Sequence, residues 1–166
     1  MGTLIVIVIA IVVLALLSKP APSVLDYGVV KVDYQKLIKD FGGKAKRYST
    51  SEIPDTFLLA IIAFESGGKL TARGRAGEYG IFQLMAYHLE GVKERDRYAV
   101  NVQFDKATAF LASLVRSLKA RGQFSLQNLY AAYNGGLGNF KTPICQARAR
   151  AVLKHAAKIS ELVPPV

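Results

Sequence analysis

The stretch "PDTFLLAIIAFESGGK", Pro54 to Lys69, decides how the rest of the chain is read. Pro54 suits the first turn of a helix, where its missing N–H costs nothing. Phe57, Leu58, Ile61, Ile62 and Phe64 then make the segment apolar nearly all round, so the spacing predicts a central, buried helix. Gly67 and Gly68 supply its stop. Glu65 falls in the last turn, where the helix dipole is negative and the neighbours are greasy. Both effects disfavour the carboxylate and raise the pKa, which is what a proton donor near neutral pH requires. Taken alone, the stretch is slightly better explained by a helix-end glutamate turned to water.

Outward from that helix, the apolar spacing predicts further helices and no convincing sheet. Asp33 can cap a helix carrying Leu37, Ile38 and Phe41, with Gly42-Gly43 as its end. A short helix follows Gly80 through Leu84 and Met85. A longer one has Phe104, Ala107, Leu111, Leu114, Val115 and Leu118 on one face, with Gly122 after it. Ser125 can cap a helix with Leu126, Leu129, Tyr130 and Tyr133, ended by Gly135-Gly136. Pro143 opens a last helix with Arg148, Arg150, Lys154 and Lys158 facing mostly outward. The fold class is all-α, one domain of short helices over residues 31–166.

The first 18 residues, "MGTLIVIVIAIVVLALLS", contain no charged side chain. That is near the minimum for a spanning helix, roughly 17–25 residues. No basic residue precedes the run and no small-x-small cleavage site follows it, which favours an uncleaved transmembrane anchor over a signal peptide. Residues 19–30, with Pro20 and Pro22, read as an extended linker. Lys19, Lys31, Lys36, Lys39, Lys44, Lys46 and Arg47 all follow the anchor, and the positive-inside rule would hold that side in the cytoplasm. The rule weakens for a following domain of this length.

The net charge of +10 favours anionic partners, including lipid surfaces and cell-wall polymers. No nucleic-acid reading motif accompanies it, so no specific nucleic acid is expected. The lone Cys145 allows no intrachain disulfide, and His88 and His155 are too far apart in sequence to suggest zinc. Neither metal nor cofactor is expected.

Two further motifs carry chemistry. "GEYGIFQLM", Gly77 to Met85, combines a tight glycine backbone with Gln83, whose amide can donate to and accept from sugar hydroxyls. "AAYNGGLGNF", Ala131 to Phe140, places Tyr133 and Asn134 before a glycine loop, and a tyrosine offers a flat apolar face and a hydroxyl to a pyranose ring. Alone, the first fits a turn before a core helix and the second an ordinary helix C-cap. In order, Glu65-Ser66, then Gly77 to Gln83, then Ala132 to Gly136, they resemble the SLT-type lytic transglycosylases over about residues 50 to 160.

That resemblance implies a lysozyme-like helical fold and cleavage of peptidoglycan between N-acetylmuramic acid and N-acetylglucosamine, with a 1,6-anhydromuramic product. It implies Glu65 as the acid/base, Ser66 as its helper, and Gln83, Met85 and Tyr133 along the glycan cleft. Asn134 is grouped with them, although it fits better as a shaper of the loop. Glu78 stands where the family usually has a small residue. It is the candidate second carboxylate, and it keeps a water-using muramidase open as the alternative. Gln146 stands where the family often has an acid in a later segment. The expected partners are peptidoglycan glycan strands, a lipid bilayer through residues 1–18, and phage or secretion-complex proteins. The expected location is a single-pass membrane protein with its domain facing the periplasm, or in a virion membrane. A wall-binding component without activity is the alternative from another class, and a pore-forming membrane protein fits the sugar-site motifs poorly.

Overall fold

The computed structural model describes residues 31–163. The proposed anchor and the linker both lie outside them. Among the described residues no helix is long and apolar enough to cross a membrane.

Five α-helices carry the described chain: α1 (Tyr34–Tyr48), α2 (Asp55–Ser66), α3 (Val100–Ala120), α4 (Leu126–Gly135) and α5 (Pro143–Leu162). Between α2 and α3 runs a long connection with two 3₁₀ turns, Ala86–Leu89 and Glu94–Asp96. The architecture is all-α; pairing of extended residues is limited, among the described residues, to isolated antiparallel bridges Arg73–Tyr79 and Tyr79–Leu84.

Helix α2 is the centre. Every residue from Phe57 to Ala63 is buried, so no face is left for water and neighbours must cover it all round. Helix α5 packs on it most extensively, followed by α1. Gly67, at φ 62°, turns the chain into the left-handed region and donates its N–H to Ala63 O, closing the helix directly after Ser66. Gly68 follows at φ +84°, a conformation that favours glycine, and lies against Phe41 and Leu37 of α1.

Helix α1 starts as its sequence indicates, with Asp33 Oδ1 accepting from Lys36 N–H at 3.0 Å. It does not end at Gly42-Gly43 but continues to Tyr48. Neither glycine adopts positive φ. Two mid-helix glycines cost roughly 1 kcal/mol each, but Leu37, Phe41 and Ala45 form one buried stripe across that point, and burying a large apolar side chain contributes about 1.5–3 kcal/mol. Packing therefore carries the helix through.

The short helix expected from Gly80 through Met85 is replaced by a turn. Gly80 (φ 73°) and Gln83 (φ 49°) both sit in the left-handed region, which an α-helix excludes. Leu84 pairs instead with Tyr79 through Tyr79 N–H to Leu84 O at 2.9 Å and Leu84 N–H to Tyr79 O at 3.0 Å. The 3₁₀ turn begins after Met85.

Gly135 in the last turn of α4 lies against Cys145 of α5, and a Cβ at Gly135 would collide with Cys145 Sγ. Gly135→Ala is therefore expected to destabilise by about 1–3 kcal/mol, as overpacking does. Adding Cys145→Ala should return most of that loss. Chemical denaturation of the two single variants and the double variant checks this, and strictly additive losses would contradict the contact.

Candidate active site

Glu65 leaves the last turn of α2 at the floor of a cleft of about 250 Å³. The lining comprises Glu65, Glu78, Gln83, Leu84, Met85, Tyr87, His88, Phe110, Tyr133, Asn134 and Arg148. The cleft thus draws on α2, the α2–α3 connection, α3, α4 and α5. Helix α2 is buried all round, and the buried sides of α3, α4 and α5 turn their cleft residues toward its end.

Burial is the largest influence on the Glu65 carboxyl and pushes its pKa from 4.5 up to about 7. The charge of Glu78 adds a smaller push in the same direction. Two groups oppose them. Tyr130 donates its hydroxyl to Glu65 Oε1 at 2.6 Å, and the Arg148 guanidinium attracts the charged form. Burial and the charge of Glu65 hold the Tyr130 phenol well above its ordinary range, so it remains a donor. The outcome is a carboxyl that exchanges its proton near neutrality.

Tyr133 stands about one turn after Tyr130 on α4, with its ring 6.0 Å from that of Tyr130. Its hydroxyl donates to Phe82 O at 2.6 Å, which ties α4 to the turn. The N–H of the same residue is held by Gln103, a polar side chain fully buried in the core. Gln103 Oε1 accepts from Phe82 N–H at 3.2 Å and its Nε2 donates to Arg97 O at 2.7 Å. Gly80 is the matching small residue, since a Cβ there would lie 2.5 Å from Gln103 Cδ. Gln83 is then left in its strained backbone conformation, with Nε2 donating to Gly80 O at 2.8 Å. Gln83 Oε1 and the Glu78 carboxylate both lie over Gly74, where a Cβ would collide with them. Glu78 Oε2 also accepts from Ala76 N–H at 3.0 Å.

Of the residues expected from sequence, Glu65, Glu78, Gln83, Met85, Tyr133 and Asn134 come together in the cleft. Asn134 accepts from Arg148 Nη1 at 3.2 Å. Ser66 is elsewhere. Its hydroxyl faces the backbone, within 2.9 Å of Ile81 O and 3.1 Å of Ile62 O, and accepts from Gly68 N–H at 3.2 Å. It positions the end of α2 against the turn and does not line the cleft. Gln146 also lies outside the lining. It joins α4 to α5, donating to Phe140 O at 2.8 Å and to Asn128 Oδ1 at 3.1 Å.

Six contributors escape the sequence reading. Arg148 was expected to face outward, yet it reaches the cleft. Its spacing four residues before Val152 could have indicated this. Tyr130 was read only as core, although it sits beside the helix end that carries Tyr133. Gln103 lies four residues before the buried Ala107, and a polar residue on an apolar stripe is a signal of a fixed partner. The aromatic group Tyr87, His88 and Phe110 had no sequence motif to mark it.

An all-helical domain with a protonatable glutamate in a polar and aromatic cleft has the parts that a glycan-cleaving, lysozyme-like domain requires. Within it, residues 44–155 match the transglycosylase SLT domain, which is most of the chain, and the chain belongs to that family. The match runs from within α1 to within α5 and so contains the whole cleft. The domain is thereby of the lytic transglycosylase type, which degrades peptidoglycan. No curated protein matches the chain.

The raised Glu65 pKa has a consequence for stability that needs no substrate. The folded state holds this proton up to about pH 7, whereas the unfolded chain releases it near 4.5. Between those values the folded state binds more protons, so stability falls as pH rises. At about 1.4 kcal/mol per unit the loss reaches at most about 3 kcal/mol, because Glu65 keeps part of its surface open to the cleft. Glu65→Gln has no proton to lose and can still accept from Tyr130. Its stability advantage over wild type is expected to grow from near zero at pH 4 to its full value at pH 8. Thermal melts of both chains across that range check it, and a pH-independent difference would contradict the assignment.

Proposed function

We propose that this chain is a lytic transglycosylase that cleaves the bond between N-acetylmuramic acid and N-acetylglucosamine in peptidoglycan and leaves a 1,6-anhydromuramic end. The observation that carries the reading is Glu65: a carboxyl of pKa about 7 on the cleft floor, hydrogen-bonded to Tyr130. Protonated Glu65 gives its proton to the glycosidic oxygen as the bond to the muramic anomeric carbon breaks. The carboxylate left behind takes the proton of the muramic C6 hydroxyl. That oxygen bonds to the anomeric carbon, no water is consumed, and Glu65 ends protonated as it began. One group with a pKa near the working pH serves both steps. Gln83, Asn134 and Arg148 supply hydrogen-bonding groups along the same cleft, and Tyr133 and Met85 supply apolar surface.

The water-using alternative rests on Glu78, which lines the cleft with Glu65. In such a muramidase a second carboxylate activates water. Glu78 here spends one oxygen on Ala76 N–H, which favours a role in shaping the loop.

The setting we propose is a membrane-anchored enzyme, its domain facing the periplasm or carried in a virion membrane, that opens the wall locally for a phage or a secretion machine. Its support is the uncharged run from Met1 to Ser18 and the net charge of +10, which suits anionic wall and lipid surfaces.

Incubated with peptidoglycan sacculi, the chain is expected to release anhydromuropeptides, identified by mass spectrometry. Glu65→Gln should lower release by about 10²–10⁴-fold, the usual contribution of a general acid, and Glu78→Gln should change it little. Reducing, hydrated muramic ends that disappear with Glu78→Gln would establish the muramidase instead.

The same chemistry fixes a pH profile. Bond cleavage needs protonated Glu65, so kcat/KM should decline as pH rises through about 7. Tyr130→Phe removes a hydrogen bond that favours the charged form, so the declining limb should move to higher pH. A limb that moves to lower pH would contradict the role given to Tyr130.

A further inference from the structure

The large apolar side chains exposed among the described residues include Leu70, Tyr87, Ile144 and Leu162, and of these Tyr87 alone lines the cleft. Tyr87 is 67% exposed, and its ring lies 4.2 Å from that of His88. The His88 ring in turn lies 4.0 Å from Phe110 on α3. Burial lowers the pKa of His88, which favours the uncharged ring between its two neighbours. All three rings belong to the cleft wall.

These rings continue a series that starts at the acid. Tyr130, bonded to Glu65, lies 6.0 Å from Tyr133, which lies 5.4 Å from Phe110. Tyr87 ends this series and is its most exposed member, Tyr130 being buried and Tyr133, Phe110 and His88 half-buried. Glu78, Gln83, Asn134 and Arg148 give the rest of the lining its polar character. Among the aromatic groups of the lining, Tyr87 is the one most open to solvent.

The position of Tyr87 is also firm. Tyr87 and His88 lie in the 3₁₀ turn Ala86–Leu89, anchored by fully buried Leu89 and by His88 N–H to Met85 O at 2.9 Å. A ring held in place, with one side on His88 and much of the remainder open, offers a preorganised apolar face. The C–H face of a pyranose is the matching chemistry.

We infer that Tyr87, backed by His88 and Phe110, is a stacking shelf that holds a saccharide of the glycan strand remote from the bond being cleaved. This deepens the proposed function and takes its substrate from it. Such a shelf adds binding for a strand that extends past the reacting pair of sugars, and adds nothing for a fragment that does not reach it. It thereby selects polymeric strands over short muropeptides.

The test compares the chain with its Tyr87→Ala and Tyr87→Phe variants on intact sacculi and on a muropeptide with a single cleavable bond. An aromatic contact of roughly 1 kcal/mol corresponds to about fivefold. Tyr87→Ala is expected to lower kcat/KM on sacculi about fivefold more than on the short muropeptide, through KM, with Tyr87→Phe close to wild type. Equal losses on both substrates, or an equal loss with Tyr87→Phe, would overturn the shelf. Binding reads it without turnover. In the Glu65→Gln chain, adding Tyr87→Ala should weaken co-sedimentation with sacculi about fivefold, and an unchanged affinity would overturn the shelf. If the wild-type chain yields no product while this binding difference stands, the transglycosylase reading fails and the shelf remains.

Discussion

The structure depends on the burial of one ionisable group. Glu65 closes a helix whose residues from Phe57 to Ala63 are all inside, and its carboxyl is held near neutrality by that burial. Left alone, desolvation would favour a permanently neutral acid. The Tyr130 hydroxyl and the Arg148 charge oppose it and keep the proton exchangeable. An acid that must give a proton and then recover one needs that balance more than it needs an extreme pKa.

The rest of the fold can be read as support for the balance. Helix α2 must be covered all round to be dry, and α1 and α5 do most of the covering. Gly67 stops α2 directly after Ser66, so the carboxyl emerges from the core without leaving it. Ser66 and Tyr133 tie the turn at Ile81 and Phe82 to α2 and α4, and Gln103 ties it to α3. That turn carries Gln83 in a strained conformation, as residues at binding sites often are. The polar groups that hold the cleft in shape are thus largely different from those exposed inside it.

How much of this was legible in the sequence depends on the range of the interaction. Asp33, Ser125 and Pro143 announce helix starts through local hydrogen bonding and a fixed φ, and all three stand at the starts of their helices. The buried helix before Glu65 was legible because its apolar run leaves no other choice. Gly42-Gly43 misled, because propensity is weaker than the packing of Phe41 and Ala45 on either side. The segment after Gly80 misled for the opposite reason. Its apolar residues suit a helix, but Gly80 and Gln83 take left-handed conformations that only the surrounding contacts with Gln103 and Tyr79 fix. Tyr130, Arg148 and the Tyr87 group reach the cleft through tertiary packing, and no local pattern reports that. The run from Met1 to Ser18 lies outside the described residues and stays a proposal.

The central claim is that the Glu65 carboxyl titrates near neutrality because the fold buries it. Direct titration of the Glu65 side-chain carboxyl by heteronuclear NMR, assigned by its absence in Glu65→Gln, tests this without substrate or product. The account requires a midpoint at about 7. A midpoint near the ordinary value of 4.5 would mean a carboxylate already charged at neutral pH, and would contradict it.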